Sequence, residues 1–336
     1  MKLSGRGALL QRTPAVSRPS PQPVLVSVVV PHYRDPASLR ESLASLAEQR
    51  YRPLEVIVID DGSPDEVYAQ VAALCDGVAQ LARIPHRGPS AARNHGAALA
   101  KGAILVFCEA DARYPPDYVA GIVAPIAACQ DGSVVAASNV GRRILHETGA
   151  WGHRYARLLY AAVDDAIRRG RRRTGAWAFD ARWFRDNGGY REELKVGEDL
   201  DLVERVAASG RKVAYGADIP FFHREPESLR QLFRRAWRSG VQRKPGRLGV
   251  GLVAVGIAAG VGGYRFGIGA GALLIAAAGL AVPLIDPTWR LVLSFGARDR
   301  QWREAAVASV GRSVWILGYV TGAVVGALRL PVRGRT

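Results

Sequence analysis

Pairs of carboxylates stand at two places where a short apolar run of the sequence ends. Asp60 and Asp61 close one run, and Glu109 and Asp111 close another. Two carboxylates spaced two residues apart on a loop can reach one divalent cation, because hard cations prefer oxygen ligands. Such a cation can bridge a diphosphate and neutralise the charge that develops as the diphosphate leaves. The pattern is therefore compatible with metal-assisted chemistry on a diphosphate, and the alternative for Asp60 and Asp61 is an ordinary turn after a strand.

A third acidic group opens a predicted helix. Glu198 and Asp199 follow a Gly-rich turn at 188–189 and precede the helical pattern 200–208. A carboxylate in the first turn of a helix is partly stabilised as an anion by the helix dipole. Such an anion can accept a proton from a hydroxyl within hydrogen-bond reach. The alternative is that Glu198, Asp199 and Asp201 only cap this helix.

Four apolar runs supply the elements that must position these groups. They lie at 24–30, 54–59, 78–84 and 103–108; the first two are rich in β-branched residues, and the third is weaker than the others. Runs without polar alternation indicate strands covered on both faces. Helical patterns lie between the runs, and this repeat predicts a parallel sheet with right-handed crossovers. Since ligands bind at the carboxyl ends of such strands, we expect the polar clusters after the first, second and fourth strands at one edge.

Composition limits the classes of protein to which the chain can belong. Of its 336 residues, 49% are apolar and 23% are charged, and the mean hydropathy is +0.01. These values exclude disorder of the whole chain and speak against a polytopic transporter. The net charge of +16 fits either nucleic acid or an anionic membrane surface. Three cysteines are too few and too unpatterned for a disulfide framework or a zinc site.

Five motifs follow one another over residues 24–240. They lie at 26–33, 54–63, 88–96, 109–111 and 197–202. In order and spacing they resemble the motifs of family 2 glycosyltransferases, which are inverting enzymes of the GT-A fold that use a nucleotide-diphospho-sugar. The resemblance implies an α/β fold with a Rossmann-like, mostly parallel sheet flanked by helices. It divides this region into a nucleotide-sugar half, 24–140, and an acceptor half, 141–240.

The resemblance also implies how the nucleotide-sugar is bound. Pro31 and Tyr33 are expected to border the base, with the Tyr33 ring available for stacking. Asp61 is expected to hydrogen-bond the base, most naturally the imide N–H of a uracil, which favours a UDP-sugar as donor. Arg93 is expected to face the nucleotide or its phosphates.

A metal site and a general base are implied in the same way. Asp111 is expected to be the main ligand of Mg²⁺ or Mn²⁺, and Glu109 to lie near the ribose or the metal, although the family more often has Asp at this position. His223 follows a strand-like run and is a candidate further ligand, the alternative being a hydrogen-bonded structural histidine. Asp199 is expected to deprotonate the acceptor hydroxyl, with Glu198 beside it.

The acceptor half ends in a basic, aromatic helix. Its segment 231–237 is similar to the Gln-X-X-Arg-Trp motif of the family, with one residue inserted before the tryptophan. The residues of this motif that we expect to meet the diphosphate or the acceptor are Gln231, Arg234, Arg235 and Trp237. The helix also suits a membrane surface. The arginine-rich run 168–173 is either a solvated loop or part of an acceptor region near lipid.

The ends of the chain differ in composition from its middle. Residues 1–23 are basic and rich in proline, which predicts a disordered arm. In the C-terminal region 241–336, uncharged runs at about 248–264 and 266–285 predict membrane-spanning helices, and 305–328 is expected to span or to lie in the interface. Basic residues directly before the first run place the catalytic domain on the cytoplasmic face of the cell membrane. A hydrophobic bundle packed on the enzyme is the alternative.

The sequence thus predicts an inverting glycosyltransferase with a divalent cation and a membrane-presented, lipid-linked acceptor. One alternative is a transferase that acts on polyprenyl phosphate itself. Another is a non-catalytic membrane scaffold that keeps the GT-A fold. Binding to nucleic acid is not expected, because no DNA- or RNA-binding module accompanies the basic residues. The sequence does not indicate an oligomeric state.

Overall fold

The computed structural model describes residues 23–168, 177–194 and 197–242. Within these residues the chain forms an α/β fold around a mixed sheet of eight strands. The strands are β1 (Val26–His32), β2 (Leu54–Asp60), β3 (Gln80–Arg83), β4 (Ile104–Phe107), β5 (Ala112–Arg113), β6 (Val134–Ile144), β7 (Ala178–Asp180) and β8 (Lys212–His223). Their spatial order is β3-β2-β1-β4-β7-β6-β8-β5.

Eight helices accompany the sheet in the described ranges. They are α1 (Pro36–Ala47), α2 (Asp65–Cys75), α3 (Pro89–Leu99), α4 (Tyr118–Ala127), α5 (Trp151–Arg168), α6 (Ala181–Asp186), α7 (Glu198–Ala208) and α8 (Leu229–Gln242). Strand β1 pairs in parallel with β2 and β4, and β2 pairs in parallel with β3. The parallel arrangement expected for the first four strands is therefore confirmed.

Each central strand contributes to two hydrophobic cores, because successive side chains of a strand point to opposite faces. Val28 and Val30 of β1 belong to a core with residues of α1 and α4, whereas Val29 belongs to a second core with residues of α3, α6 and α7. Burial on both faces explains why these strands read as continuous apolar runs. It also leaves the strand ends as the places where polar groups can face solvent and ligands.

The second half of the sheet departs from the parallel pattern. Strand β7 runs antiparallel to β4 and β6, and the short β5 runs antiparallel to β8. The apolar runs at 212–215 and 219–222 form one continuous strand, β8, which pairs in parallel with β6. Irregularities in this ladder near Asn139 and Gly141 absorb the mismatch between the two strands.

Helix α1 begins with an aspartate cap. Serine and glutamate at 38 and 41 have capping-box spacing, but Asp35 is the N-cap residue. Its carboxylate accepts hydrogen bonds from the Ser38 backbone N–H and hydroxyl at 3.1 and 2.7 Å. Because Pro36 already has the backbone geometry of a first helical turn, the helix begins two residues before Ser38.

Several predictions concern residues outside the described ranges. These are the basic arm up to residue 22, the arginine-rich run at 169–173, the two predicted spans 248–264 and 266–285, and the third segment 305–328. Among the helices that the structure does describe, none combines the length and apolarity that crossing a membrane requires.

A buried hydrogen bond joins the first two strands where they end. His32 and Asp60 are both buried, with 3.0 Å between the His32 Nδ1 and the Asp60 carboxylate. The Asp60 carboxylate also accepts from the Ser63 backbone N–H at 2.9 Å and the Ser63 hydroxyl at 2.6 Å. The backbone N–H of Asp35 donates to the other ring nitrogen of His32, which fixes the Nδ1 as the protonated atom. This network sets the loop that carries Asp61.

We expect the substitution Asp60→Ala to lower the free energy of unfolding by about 3 kcal/mol, because it leaves His32 and Ser63 buried without their acceptor. Urea denaturation of the purified chain measures the change. Asp65→Asn is the matched control, since Asp65 is 91% exposed in its pair with Arg83 and should change stability by less than about 1 kcal/mol. Equal effects of the two substitutions would contradict a structural role for Asp60.

Candidate active site

Glu109, Asp111 and His223 come together at the edge of the sheet where β4 ends. Glu109 and Asp111 lie in the loop between β4 and β5, and β5 pairs with β8 so that Ala112 is opposite His223. The His223 Nε2 lies 3.3 Å from the Asp111 Oδ1 and 3.4 Å from the Glu109 Oε2. Each of the three residues has a possible ligand atom within 4.8 Å of those of the other two.

His223 is buried and is held at both ring nitrogens. Its Nδ1 lies 2.9 Å from the Glu225 Oε1, while its Nε2 faces Glu109 and Asp111. Burial by itself lowers the pKa of His223, but the charge of Glu109 and the hydrogen bonds with Asp111 and Glu225 raise that pKa to about 9. The ring is therefore protonated at neutral pH without a cation, and metal coordination through Nε2 requires loss of that proton.

Glu225 is the carboxylate on the other side of His223. Its Oε1 also accepts a hydrogen bond from the Tyr160 hydroxyl, and its Oε2 lies 2.7 Å from the Arg235 Nη1. Burial works to raise the pKa of Glu225, but the His223 hydrogen bond and the charges of Arg235 and Arg142 lower it to about 2. Glu225 is therefore an anion at all pH values at which the protein would be assayed.

Arg142 of β6 lies between the two groups of carboxylates. Its Nη2 is 3.7 Å from the Glu109 Oε2 and 3.4 Å from the Glu225 Oε1, and its guanidinium carbon is 5.3 Å from the centre of the Tyr160 ring. Burial lowers the pKa of Arg142, but the neighbouring carboxylates and Tyr160 raise it well above its ordinary value. The Nε and Nη2 atoms are buried and make no hydrogen bond within the described residues.

The donor set of this cluster fits a divalent cation. Two carboxylates and an imidazole are common ligands of such ions, and Mg²⁺ and Mn²⁺ favour the carboxylates. The Glu109 Oε2 is buried and accepts no hydrogen bond from the residues that the structure describes, so its lone pairs are available. Burial works to raise the pKa of Asp111, but His223 and Arg235 outweigh burial and lower the pKa, which keeps this ligand ionised.

The groups expected to bind the base assemble at the ends of β1 and β2. Tyr33 is partly exposed and stacks on His86, with 4.3 Å between ring centroids and 21° between planes. The Asp61 carboxylate accepts from the backbone N–H groups of Arg87 and Gly88 at 2.8 and 2.9 Å, and one of its oxygens lies 2.9 Å from the His86 Nδ1. Asp61 therefore also orders the loop that precedes α3.

Gly62 allows this loop to approach. Its φ is +76°, and a Cβ atom at this position would lie 2.6 Å from the backbone nitrogen of His86. A side chain here would be strained in conformation and would push the 86–88 loop away from Asp61. Pro31 lies at the same sheet edge, opposite Ile59 of β2.

Arg93 lies beside the acidic pair at the start of α7. The Arg93 Nη1 is 3.3 Å from the Glu198 Oε1, and its guanidinium carbon is 5.4 Å from the centre of the Tyr190 ring. The buried Nε of Arg93 makes no hydrogen bond within the described residues. The structure thus brings Arg93 to Glu198, and its expected contact with the nucleotide stays a prediction.

The three acidic residues in the first turn of α7 have different surroundings. Asp201 lies 2.9 Å from Arg205 and 3.0 Å from Arg191, so its carboxylate is held in ion pairs. Asp199 is partly buried and accepts the Leu200 backbone N–H at 2.9 Å, and it forms no ion pair in the described part of the chain. Because Glu198 pairs with Arg93 and Asp201 pairs with two arginines, Asp199 is the carboxylate of the three that is available to accept a proton.

The predicted residues of α8 do not act as one group. The Gln231 side-chain oxygen accepts from the backbone N–H groups of Glu227 and Ser228 at 2.8 and 3.2 Å, and the Ser228 hydroxyl accepts from the Gln231 N–H. This is a capping box, which gives Gln231 a structural role at the start of the helix. Arg235 reaches the cation cluster through Glu225, whereas Arg234 is exposed. Trp237 is partly buried.

Sequence reasoning did not identify Arg142, Tyr160, Glu225 or His86. One signal for Glu225 was present, because residues two apart on an extended segment point to the same side and Glu225 lies two positions after His223. No such signal existed for Arg142 and Tyr160, which reach the cluster from β6 and α5.

The chain is similar in sequence to a known family and to several known proteins. Residues 27–178 match the family model of Glycosyl transferase family 2. The pre-mycofactocin glycosyltransferase of Mycobacterium tuberculosis is 30% identical over 247 residues, which are 69% of this chain and 50% of that protein. The undecaprenyl-phosphate 4-deoxy-4-formamido-L-arabinose transferase of Pseudomonas paraeruginosa is 34% identical over 151 residues, 43% of each chain. The chain is therefore similar to glycosyltransferases over its first half and beyond.

A solved structure supports the fold of this chain. The mannosyltransferase PcManGT from Pyrobaculum calidifontis, in complex with GDP-Man and Mn²⁺, aligns with a TM-score of 0.54 and 20% identity. The alignment covers 96% of this chain and 92% of that one. The expected GT-A type of α/β fold is confirmed, with its mostly parallel sheet flanked by helices. The chain spans about half the length of the curated relatives it matches.

Proposed function

We propose that the chain is an inverting glycosyltransferase that moves a sugar from a nucleotide-diphospho-sugar to an acceptor hydroxyl presented at a membrane. One observation carries the proposal. Within a chain that matches family 2, Glu109, Asp111 and His223 converge at the carboxyl edge of the sheet. A site for a metal-bridged diphosphate is what a nucleotide-sugar donor requires.

Glu109, Asp111 and His223 would hold Mg²⁺ or Mn²⁺. The cation would neutralise the charge that develops on the diphosphate. The presence of Mn²⁺ and GDP-Man in the PcManGT complex supports this proposal. Arg142 and Arg235 add positive charge next to the cluster, which favours a substrate with several negative charges.

The base of the donor would lie at Tyr33, Asp61 and the 86–88 loop, next to Pro31. The Tyr33–His86 pair offers stacking surface for a planar ring. A free lone pair of the Asp61 carboxylate would accept an N–H of the base, and the imide N–H of uracil is the simplest match. We therefore favour a UDP-sugar.

Asp199 would act as the general base. Its carboxylate would take the proton of the acceptor hydroxyl while the acceptor oxygen forms a bond to the anomeric carbon and the bond from that carbon to the diphosphate breaks. Attack from the face opposite the leaving group inverts the configuration. Arg93 would fix Glu198, and with it the helix turn that carries Asp199.

The acceptor would be lipid-linked and would approach past α5 and α8. Trp151 at the start of α5 is 49% exposed, with the Arg154 guanidinium 5.8 Å from the centre of its ring. An exposed tryptophan next to arginine suits the interface of an anionic membrane. Together with the predicted C-terminal spans, this supports a location at the cell membrane with the catalytic domain on its cytoplasmic face.

The donor proposal predicts cation-dependent binding. In thermal-shift measurements with Mn²⁺, we expect a UDP-sugar to raise the melting temperature more than GDP- or dTDP-sugars, because a ligand that binds only the native state stabilises it. We expect Asp111→Asn to abolish the part of the shift that needs Mn²⁺. Asp117→Asn, at an exposed pair with Arg50, is the control and should leave the shift intact. A panel without any Mn²⁺-dependent shift would favour the scaffold alternative.

The general-base proposal predicts a loss of turnover without a loss of binding. We expect Asp199→Asn to reduce sugar transfer by about a hundredfold or more, because the amide cannot accept the proton. Donor binding by thermal shift should remain unchanged. Glu204→Gln, at an exposed position of the same helix, should retain full transfer. Unaltered transfer by the Asp199 variant would contradict the assignment.

A polyprenyl-phosphate acceptor is the second candidate, favoured by the match to the undecaprenyl-phosphate transferase. The two candidates differ in the group that attacks the sugar. If the acceptor is a hydroxyl of a lipid-linked glycan, we expect added polyprenyl phosphate to leave donor turnover unchanged and lipid-linked glycans to increase it. Release of the nucleoside diphosphate measures both. Stimulation by polyprenyl phosphate alone would replace the first candidate by the second.

A further inference from the structure

Glu225 connects the candidate cation cluster with two helices that contribute no ligand to it. Its side chain is only 6% exposed. The residue lies two positions after the end of β8. One carboxylate oxygen contacts the His223 Nδ1 at 2.9 Å and accepts from the Tyr160 hydroxyl of α5. The other lies 2.7 Å from the Arg235 Nη1 of α8. With Arg142 of β6, which lies 3.4 Å from the first oxygen, one carboxylate thus contacts groups from four elements.

The backbone around Glu225 is fixed to the start of α5. The His153 Nε2 lies 3.2 Å from the Glu225 carbonyl oxygen, and the Gly152 N–H donates to the Glu227 carbonyl at 2.8 Å. Gly152 permits this approach, because a Cβ atom there would lie 2.0 Å from the Pro226 carbonyl oxygen. The backbone of Glu225 is therefore held by contacts other than those of its own carboxylate.

Helices α5 and α8 also pack against each other. Tyr155, Leu158 and Ala162 of α5 form a small hydrophobic cluster with Leu232 of α8. Tyr160 and Arg235, two of the residues that contact the Glu225 carboxylate, belong to this same helix pair. A shift of the helix pair would therefore act on the Glu225 carboxylate and, through it, on the ring of His223.

We propose that Glu225 is a positioning residue that fixes the His223 ring with Nε2 toward Glu109 and Asp111, and that couples cation binding to the packing of α5 and α8. The proposal rests on the cation site of the proposed function. A histidine ligand is oriented by the acceptor of its other N–H, and loss of such an acceptor typically weakens metal binding by 10–100-fold. Coupling of this kind is reciprocal, so the cation should also stabilise the helix pair.

Two variants test the positioning role. The affinity of the whole chain for Mn²⁺ is measured by titration calorimetry or by the EPR signal of free Mn²⁺. Glu225→Gln keeps the shape but removes the charge, and we expect about 10–100-fold weaker binding. Tyr160→Phe keeps the carboxylate and removes one of its hydrogen bonds, and we expect about threefold to tenfold weaker binding. Glu227→Gln, exposed and two residues further on, is the matched control and should bind as the wild type does.

Hydrogen exchange tests the coupling in the other direction. Addition of Mn²⁺ to the wild type should slow amide exchange in α5 and α8, and this protection should be lost in Glu225→Gln. Melting temperatures in EDTA show whether the variants fold. If Glu225→Gln does not fold, Tyr160→Phe decides the question by the same two measurements.

Each outcome separates this proposal from the proposed function. Unchanged Mn²⁺ affinity in His223→Ala would remove His223 from the ligand set and with it the role of Glu225, but would leave a donor site at Glu109 and Asp111 in place. Weak binding by His223→Ala together with wild-type binding by Glu225→Gln and Tyr160→Phe would overturn only the role of Glu225. If Glu225→Gln melts at a lower temperature in EDTA but binds Mn²⁺ with unchanged affinity, Glu225 acts only as a counter-ion of Arg235, and its positioning role is likewise overturned.

Discussion

The imidazole of His223 lies between carboxylates on both sides, and the geometry of the whole candidate site depends on this placement. On one side are Glu109 and Asp111 from the loop after β4, and on the other is Glu225 after β8. Three carboxylates this close repel one another unless positive charge separates them. His223 supplies that charge when no cation is bound, and Arg142 and Arg235 supply more at the edge of the cluster.

The sheet makes this arrangement possible. Parallel strands that are buried on both faces keep polar groups out of their interior, so the acidic residues collect at the strand ends. The antiparallel pairing of β5 with β8 then brings a residue from late in the chain to the loop after β4. The same edge carries the buried His32–Asp60 pair, which fixes the loop of Asp61. Strand pairing thus fixes the backbone below the charged side chains and so determines which of them meet at the candidate site.

Individual side chains show where sequence patterns stop being informative. Asp61 stands in a motif read as base recognition, yet its carboxylate also accepts two backbone N–H groups of the 86–88 loop. Gln231 stands in a motif read as substrate contact, yet its amide oxygen caps α8. A motif specifies which residue is present, but its hydrogen-bond partners come from distant segments. The number of lone pairs left for a ligand is known only once those partners are placed.

The sequence by itself determined the first four strands, the helices between them and the sheet edge to examine, and it pointed to Asp111, Asp199 and His223 as candidate site residues. These follow from apolar periodicity and short-range motifs, which depend on neighbours along the chain. Only the tertiary structure decided that Arg142, Tyr160 and Glu225 surround His223, and that Arg93 meets Glu198. Those contacts join residues far apart in sequence. Their geometry is set by strand pairing and helix packing, which no local pattern encodes.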